Sequence, residues 1–549
     1  MSKTNYKVLK NDILGRYMVA ARKIKAGELI LSETPVLIGP QVDGPMICFN
    51  CCKGIRKAGY IFCPKCNTAI LCSPKCTGKL HTEEECNALK SSPVKGEDLA
   101  ENTPASFPLR CILLRSHKPE TWQQILQLEP HMEERRHSPI WRRHQITVEH
   151  FLRKHKALSD EDTLNELVQR ICGVLDVNTF EVRPPNSNLV VITNPEKQCL
   201  RGLYLNAALM AHDCNGNTFL SVDDDFVLTV KASVDIPENS PIYFNYANVL
   251  QGSSDRRQHL REGKYFDCFC TRCNDSTEMG SEISSLHCHR CHKGLIRVKD
   301  PKDLNSDWEC SYCKKMYRRW LIRSIVEEGR RRIEETDPTN MKAMESVLNK
   351  LLQTFNNNHH LMVELQQNMI GNYMRLPPTK NNLTQKVRLC ENLMNVFSKI
   401  EPGISRIKAL TLYQLQSAMI DLAHKQYQDK DINISQLITK LAEAESKLKE
   451  CLAHLLHEPP KSPEGRICHM ALSELKMLRT SIGNIQKEVM FAEVDDKAKL
   501  KKSRRKVDRE KKVSVNTGDH KEVKAEGNVK GEETAEGKAK GRRRNKTKK

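Results

Sequence analysis

Between residues 48 and 86, eight thiol and imidazole groups fall into four close pairs, and this spacing restricts the fold more than any other feature of the chain. The pairs are Cys48-x2-Cys51, Cys63-x2-Cys66, Cys72-x3-Cys76 and His81-x4-Cys86. Together they supply ligands for two tetrahedral zinc ions. A segment this short has too little apolar surface to fold unaided, so metal binding supplies its folding energy. An interleaved arrangement joins Cys48, Cys51, Cys72 and Cys76 at one ion, and Cys63, Cys66, His81 and Cys86 at the other. Cys52 competes with Cys51 for its place, and the sequence does not choose between them.

Two more clusters lie downstream. Cys268-x-Cys270-x2-Cys273 offers three thiolates and needs a fourth ligand from elsewhere. Cys288-x2-Cys291 and Cys310-x2-Cys313 are two knuckles in the manner of a zinc ribbon. His287, His289 and His292 crowd the first knuckle and read as bystanders. Four structural zinc ions are therefore expected.

The wider composition supports metal over disulfides. The first ten residues carry no apolar stretch, so a secretory signal is not expected, and 22 cysteines then read as metal ligands and reduced thiols. No apolar run approaches the ~18 residues of a membrane span. The net charge of +20 is unevenly placed. Residues 497–549 hold 21 Lys and Arg against 8 Asp and Glu, a net +13 that leaves +7 for the other 496 residues. Nucleic acid is thus expected to bind only weakly, through the tail.

Along the chain, residues 17–22 and 28–38 read as short strands, as do 188–193, 225–232 and 241–246. Residues 106–172 have helical periodicity, with Ser159 and Asp162 spaced as a capping box. From about 320 to 490 the pattern is helical, broken at Pro338, Pro377-Pro378, Pro402 and Pro459-Pro460. Ser462-Pro463-Glu464 reads as an N-cap with proline in the first turn. Beyond Val494 the chain is rich in Lys, Arg, Glu, Gly and Asn, and is expected to be disordered.

The first cluster resembles a MYND finger, a protein-interaction module, and the strands around it resemble a SET domain interrupted by that finger. Their order resembles the SET and MYND domain-containing (SMYD) family, in particular its arthropod-type branch with an extra zinc ribbon. The fold this implies is α+β: a split SET-domain β-fold with an inserted MYND finger, a post-SET zinc site, a zinc ribbon and an all-α, TPR-like C-terminal domain. The corresponding partition is 1–45 (SET N-terminal part), 46–88 (finger), 89–170 (helical insertion), 171–262 (SET core), 263–318 (post-SET site and ribbon), 319–492 (helical domain) and 493–549 (basic tail).

The resemblance also assigns roles. Cys214 is implied as the fourth ligand beside Cys268, Cys270 and Cys273. Tyr246 stands where the family has its catalytic tyrosine. Gly15, Arg16, Asn178, Ala211, His212, Tyr246 and Phe266 fall at positions that hold S-adenosylmethionine. Two of the motifs that carry these positions depart from the family pattern. Gly15-Arg16-Tyr17 replaces Gly-x-Gly, and Ala211-His212-Asp213-Cys214 replaces Asn-His-Ser-Cys, with Gly216 in place of a proline. The implied activity is methyl transfer from S-adenosylmethionine to a protein lysine, histone or non-histone, with the finger recruiting regulatory proteins. The alternative is a catalytically weak or inactive adaptor, acting in transcription through the finger. Either reading places a monomer in nucleus and cytoplasm, without membrane contact.

Overall fold

The computed structural model describes residues 4–42, 44–55, 59–184 and 200–515. The strand expected at 188–193 and the tail beyond 515 lie outside these residues. Residues 1–484 form one compact unit.

The chain opens with an antiparallel hairpin of β1 (Tyr6–Asn11) and β2 (Gly15–Ala20). Gly15 closes it with a φ of +63°, a left-handed conformation that side chains disfavour. The Asn11 carboxamide fixes the turn by accepting from the Ile13 and Leu14 N–H groups at 3.0 and 2.7 Å. Burial rises along β2, so that Met18, Val19 and Ala20 enter the core.

Next come β3 (Leu29–Glu33), β4 (Leu37–Pro40) and, within the cysteine-rich finger, a small antiparallel pair of β5 (Ile61–Phe62) and β6 (Ile70–Leu71). A run of helices from Glu83 to Asn178 follows. One of them starts at Ser159, where the expected capping box with Asp162 is formed.

The strands then resume as β7 (Thr179–Val182), β8 (Leu200–Leu203), β9 (Ala211–His212), β10 (Thr218–Val222), β11 (Leu228–Ala232) and β12 (Tyr243–Phe244). They pair across long sequence gaps. The β3 strand joins β10 and β11 in one sheet, and β4 joins β7 and β8 in another. The finger and helices are thus an insertion into a β-body whose two parts complete each other. Strict alternation of burial in β10 and β11 shows one face against the core and one turned away. The short β9 and β12 run parallel, with Ala211 opposite Tyr243 and His212 opposite Phe244.

After the helix Ser253–Lys264, a four-stranded ribbon forms from β13 (Leu286–His287), β14 (Leu295–Val298), β15 (Trp308–Cys310) and β16 (Met316–Tyr317). Its buried Leu286, Ile296 and Trp308 share one core with the C-terminal helices. Those helices span Arg319–Glu334, Met341–Leu351, His360–Tyr373, Lys380–Ile400, Arg406–Gln428, Ile434–Leu455 and Pro463–Val515. Each proline break seen in the sequence falls between two of them. Side chains of Asn340, Thr379, Ser405 and Asn433 cap four of the starts.

One expectation changes here. Residues 493–515 continue the last helix instead of being unstructured. Gly and Pro are absent from 484–515, and Lys, Arg, Glu and Ala are good helix formers even where no core is available. No helix among the described residues is long and apolar enough to cross a membrane.

Candidate functional site

Folding gathers sixteen of the expected ligand residues into four sets of four, each set with its ligand atoms within 4.8 Å of one another. The sets are Cys48, Cys51, Cys72 and Cys76; Cys63, Cys66, His81 and Cys86; Cys214, Cys268, Cys270 and Cys273; and Cys288, Cys291, Cys310 and Cys313. A tetrahedron with Zn–S arms of about 2.3 Å has edges of about 3.8 Å. The observed separations match: Cys48 to Cys76 and Cys51 to Cys72 are both 3.7 Å, Cys63 to Cys86 is 3.8 Å, and Cys288 to Cys313 is 3.7 Å. The donor sets therefore fit zinc, and the two finger sites interleave.

Several ambiguities of the sequence resolve in this geometry. Cys52 belongs to none of the sets, although it is buried. It takes a left-handed φ of 59° and donates its N–H to the Cys48 carbonyl, which turns the chain so that Cys51 faces the metal position. Cys52→Ser is thus expected to retain four zinc ions per chain and Cys51→Ser to retain three, as measured by elemental analysis. His287, His289 and His292 also stay outside the sets.

His81 is oriented by a residue that spacing did not reveal. Its Nδ1 donates to Glu85 Oε2 at 2.8 Å, while Glu85 Oε1 accepts from Arg110 Nε at 2.5 Å. Nε2 is left facing Cys66 Sγ at 3.8 Å. Such carboxylate–histidine support fixes the tautomer of a metal-ligating ring. Glu85→Ala is expected to weaken zinc at this site about 10–100-fold, read by chelator competition.

At the Cys214 set a buried ionic cluster closes over the thiolates. Arg256 donates from Nε to Cys214 Sγ at 3.3 Å and from Nη2 to Cys273 Sγ at 3.4 Å. Its Nη1 donates to Glu278 Oε2 at 2.7 Å, and Arg272 Nε reaches the same oxygen at 3.3 Å. Both arginines are fully buried. A divalent ion with four thiolates carries excess negative charge, which Arg256 offsets.

The same cluster anchors the candidate pocket. The parallel β9–β12 pair sets His212 two residues ahead of Cys214 and beside the strand leading to Tyr246. His212 Nδ1 accepts the Tyr246 N–H at 3.0 Å, and its Nε2 lies 3.4 Å from Cys214 Sγ. Both ring nitrogens are thereby committed, and the imidazole acts as a spacer between the metal set and the tyrosine. The Tyr246 hydroxyl donates to the Met210 carbonyl. Burial pushes this phenol above its usual value, so it stays protonated. Ring centroids place His212 5.1 Å from Tyr246 and 5.6 Å from Phe266, with Phe244 6.1 Å from Tyr246. These rings form an aromatic wall.

Other expected site residues stand around that wall. Ala211 pairs with Tyr243. Asn178 ends its helix and donates both amide hydrogens to backbone, at Glu129 (2.9 Å) and Val174 (3.0 Å). Arg16 donates to the Gln127 side chain and carbonyl, at 3.3 and 2.8 Å. The 127–129 segment thus ties Arg16 and Asn178 together, and Gly15 remains exposed at the hairpin end.

One pocket residue escaped the sequence reading. The Lys264 ammonium lies over the Tyr246 ring, 5.5 Å from its centroid, and donates to the Val177 carbonyl. The signal was present: Arg256, Leu260 and Lys264 are four residues apart on one helix, and the first two are fully buried. A lysine in that row points inward. The wall thus already faces a cation.

This architecture, a two-part β-body with an inserted finger and a tyrosine held beside a four-cysteine closing site, defines a SET-domain protein. The SET domain family matches residues 15–247. The SET domain-containing protein SmydA-8, isoform A, of Drosophila melanogaster is 25% identical over 423 residues, which cover 75% of this chain and 88% of that protein. The N-lysine methyltransferase SMYD2-B of Danio rerio is 24% identical over 427 residues, with 75% and 88% covered. The Homo sapiens N-lysine methyltransferase SMYD2 is 20% identical over 443 residues, with 78% and 92% covered. The chain therefore carries a SET domain over residues 15–247 and is similar, over about three quarters of its length, to SmydA-8 and SMYD2 proteins.

Proposed function

We propose that this chain is a protein-lysine N-methyltransferase that uses S-adenosylmethionine, with four structural zinc ions and a MYND finger that recruits protein partners. The observation that carries this reading is the aromatic wall of Tyr246, His212 and Phe266, rigidly tied to the Cys214 metal set and already in contact with a cation. Two of the similar proteins, from Danio rerio and Homo sapiens, are named N-lysine methyltransferases.

When bound, S-adenosylmethionine supplies an electrophilic methyl group on a sulfonium centre. The residues that would hold it are Phe266 and His212 along the wall, Tyr246 at the reacting end, and the backbone near Gly15, Arg16 and Asn178. Tyr246 orients the incoming amine through its oxygen, while the Met210 carbonyl holds its proton. Apolar and aromatic walls exclude water, which keeps the amine lone pair available. The zinc ions take no part in the transfer and hold the pocket's walls in place.

The experiment is transfer of labelled methyl groups from S-adenosylmethionine to lysines on a protein array, catalysed by the full zinc-loaded chain. Labelled histone or non-histone lysines support the reading, and no labelling by folded, zinc-loaded protein overturns it. Transcriptional regulation, residence in nucleus and cytoplasm and a monomeric state complete the proposal.

One observation favours a second reading, a non-catalytic adaptor. The amide hydrogens of Asn178 and the Tyr246 hydroxyl are already bonded within the chain, and Ala211 offers no polar side chain. An adaptor would retain finger-dependent binding of proline-containing peptides, lost on zinc chelation, while labelling nothing.

A further inference from the structure

Lys264 ends the helix Ser253–Lys264, and the chain turns directly after it, with Tyr265 at a left-handed φ of 61°. The turn sends Phe266 to the wall beside His212 and leaves the lysine side chain in front of Tyr246. Its hydrogen-bond acceptor is the carbonyl of Val177, the residue before Asn178. The ammonium therefore lies among the groups that the proposed function assigns to the methyl donor and the target amine. Burial lowers this amine to about 8, with Asp176 and Glu181 opposing and Arg201 adding to the effect, so it is still charged in neutral solution. An aromatic face attracts a cation, but two cations competing for one face repel each other strongly where water is scarce.

We propose that Lys264 is a built-in competitor for the sulfonium of the methyl donor, so that the pocket prefers the neutral thioether S-adenosylhomocysteine to S-adenosylmethionine. This rests on the reading of the Tyr246–Phe266 wall as the donor pocket. The two nucleosides differ by one methyl group and one positive charge and share everything else, so the change in their affinity ratio when Lys264 is neutralised isolates the charge. Lys264 thereby sets how far the resting chain is loaded with donor, and its displacement is a step that must precede transfer.

The test is calorimetric titration of the full, zinc-loaded chain with each nucleoside. S-Adenosylhomocysteine is expected to bind the wild type at least about tenfold more tightly. Lys264→Met should bring the two affinities within about threefold, mainly by tightening S-adenosylmethionine, whereas Lys264→Arg should keep the preference. Zinc content and melting temperature establish that each variant is folded, and Lys264→Gln replaces Lys264→Met if the latter is not. Equal affinities in the wild type, or an unchanged ratio in the neutral variants, would overturn the role of Lys264 and leave the pocket standing. Failure of both nucleosides to bind the wild type and the neutral variants would overturn the pocket itself.

Discussion

Glu278→Gln is expected to destabilise the zinc-loaded chain by about 3–5 kcal/mol, the cost of removing one partner from a buried ionic cluster. Glu278 is 2% exposed and faces two guanidinium groups that are wholly buried. It also accepts from the Ser253 N–H at 3.1 Å and from the Ser284 hydroxyl. Glutamine preserves the shape but not the charge. Arg256 keeps the metal thiolates as a close counter-charge, whereas Arg272 loses its ion-pair partner. The midpoint of urea denaturation should fall while zinc content stays at four. An unchanged midpoint would contradict the reading of this cluster as a single electrostatic unit. Acid should act in the same direction. Burial raises the Glu278 carboxyl, but Arg256 and Arg272 outweigh it and hold the group below its ordinary 4.5. Its contribution is therefore complete above pH 4.5 and drains away as the pH falls further.

Tyr246→Phe should lower methyl transfer about 10²-fold or more while leaving the fold nearly intact. Phenylalanine keeps the ring that faces His212 and Phe244 and removes only the hydroxyl. The structural loss is one hydrogen bond to Met210, about 1 kcal/mol net. The catalytic loss is larger because the hydroxyl is fixed before substrate arrives and needs no reorganisation. A steady-state assay with labelled donor separates the effects: kcat falls, and zinc content and denaturation midpoint hardly move. A variant with wild-type kcat would place the chemistry elsewhere.

The metal centres were the most legible part of the sequence, because a thiolate pair two or three residues apart has few other uses in a reduced protein. Cys214 lies 54 residues before Cys268, and only the resemblance to a family connected the two. What stayed hidden was the support around the ligands. Glu85 and Arg110 look like ordinary surface charges until the fold buries them behind His81, and Arg272 and Glu278 do the same behind Cys214. Lys264 was concealed for another reason, since lysine at the end of a helix normally points to solvent and favours the helix dipole. Its four-residue spacing from Leu260 carried the opposite message. The basic stretch 493–515 misled in the reverse sense: a composition that cannot form a core can still form a helix.

In the proposed function the wall of Tyr246, His212 and Phe266 receives the methyl donor. Ultraviolet cross-linking of S-adenosylmethionine carrying a tritiated methyl group, followed by peptide mapping, tests it directly in the full chain. Label is expected on the peptides that contain Tyr246 and Phe266, stronger in Lys264→Met than in the wild type. Label confined to other peptides, or none in either protein, would contradict it.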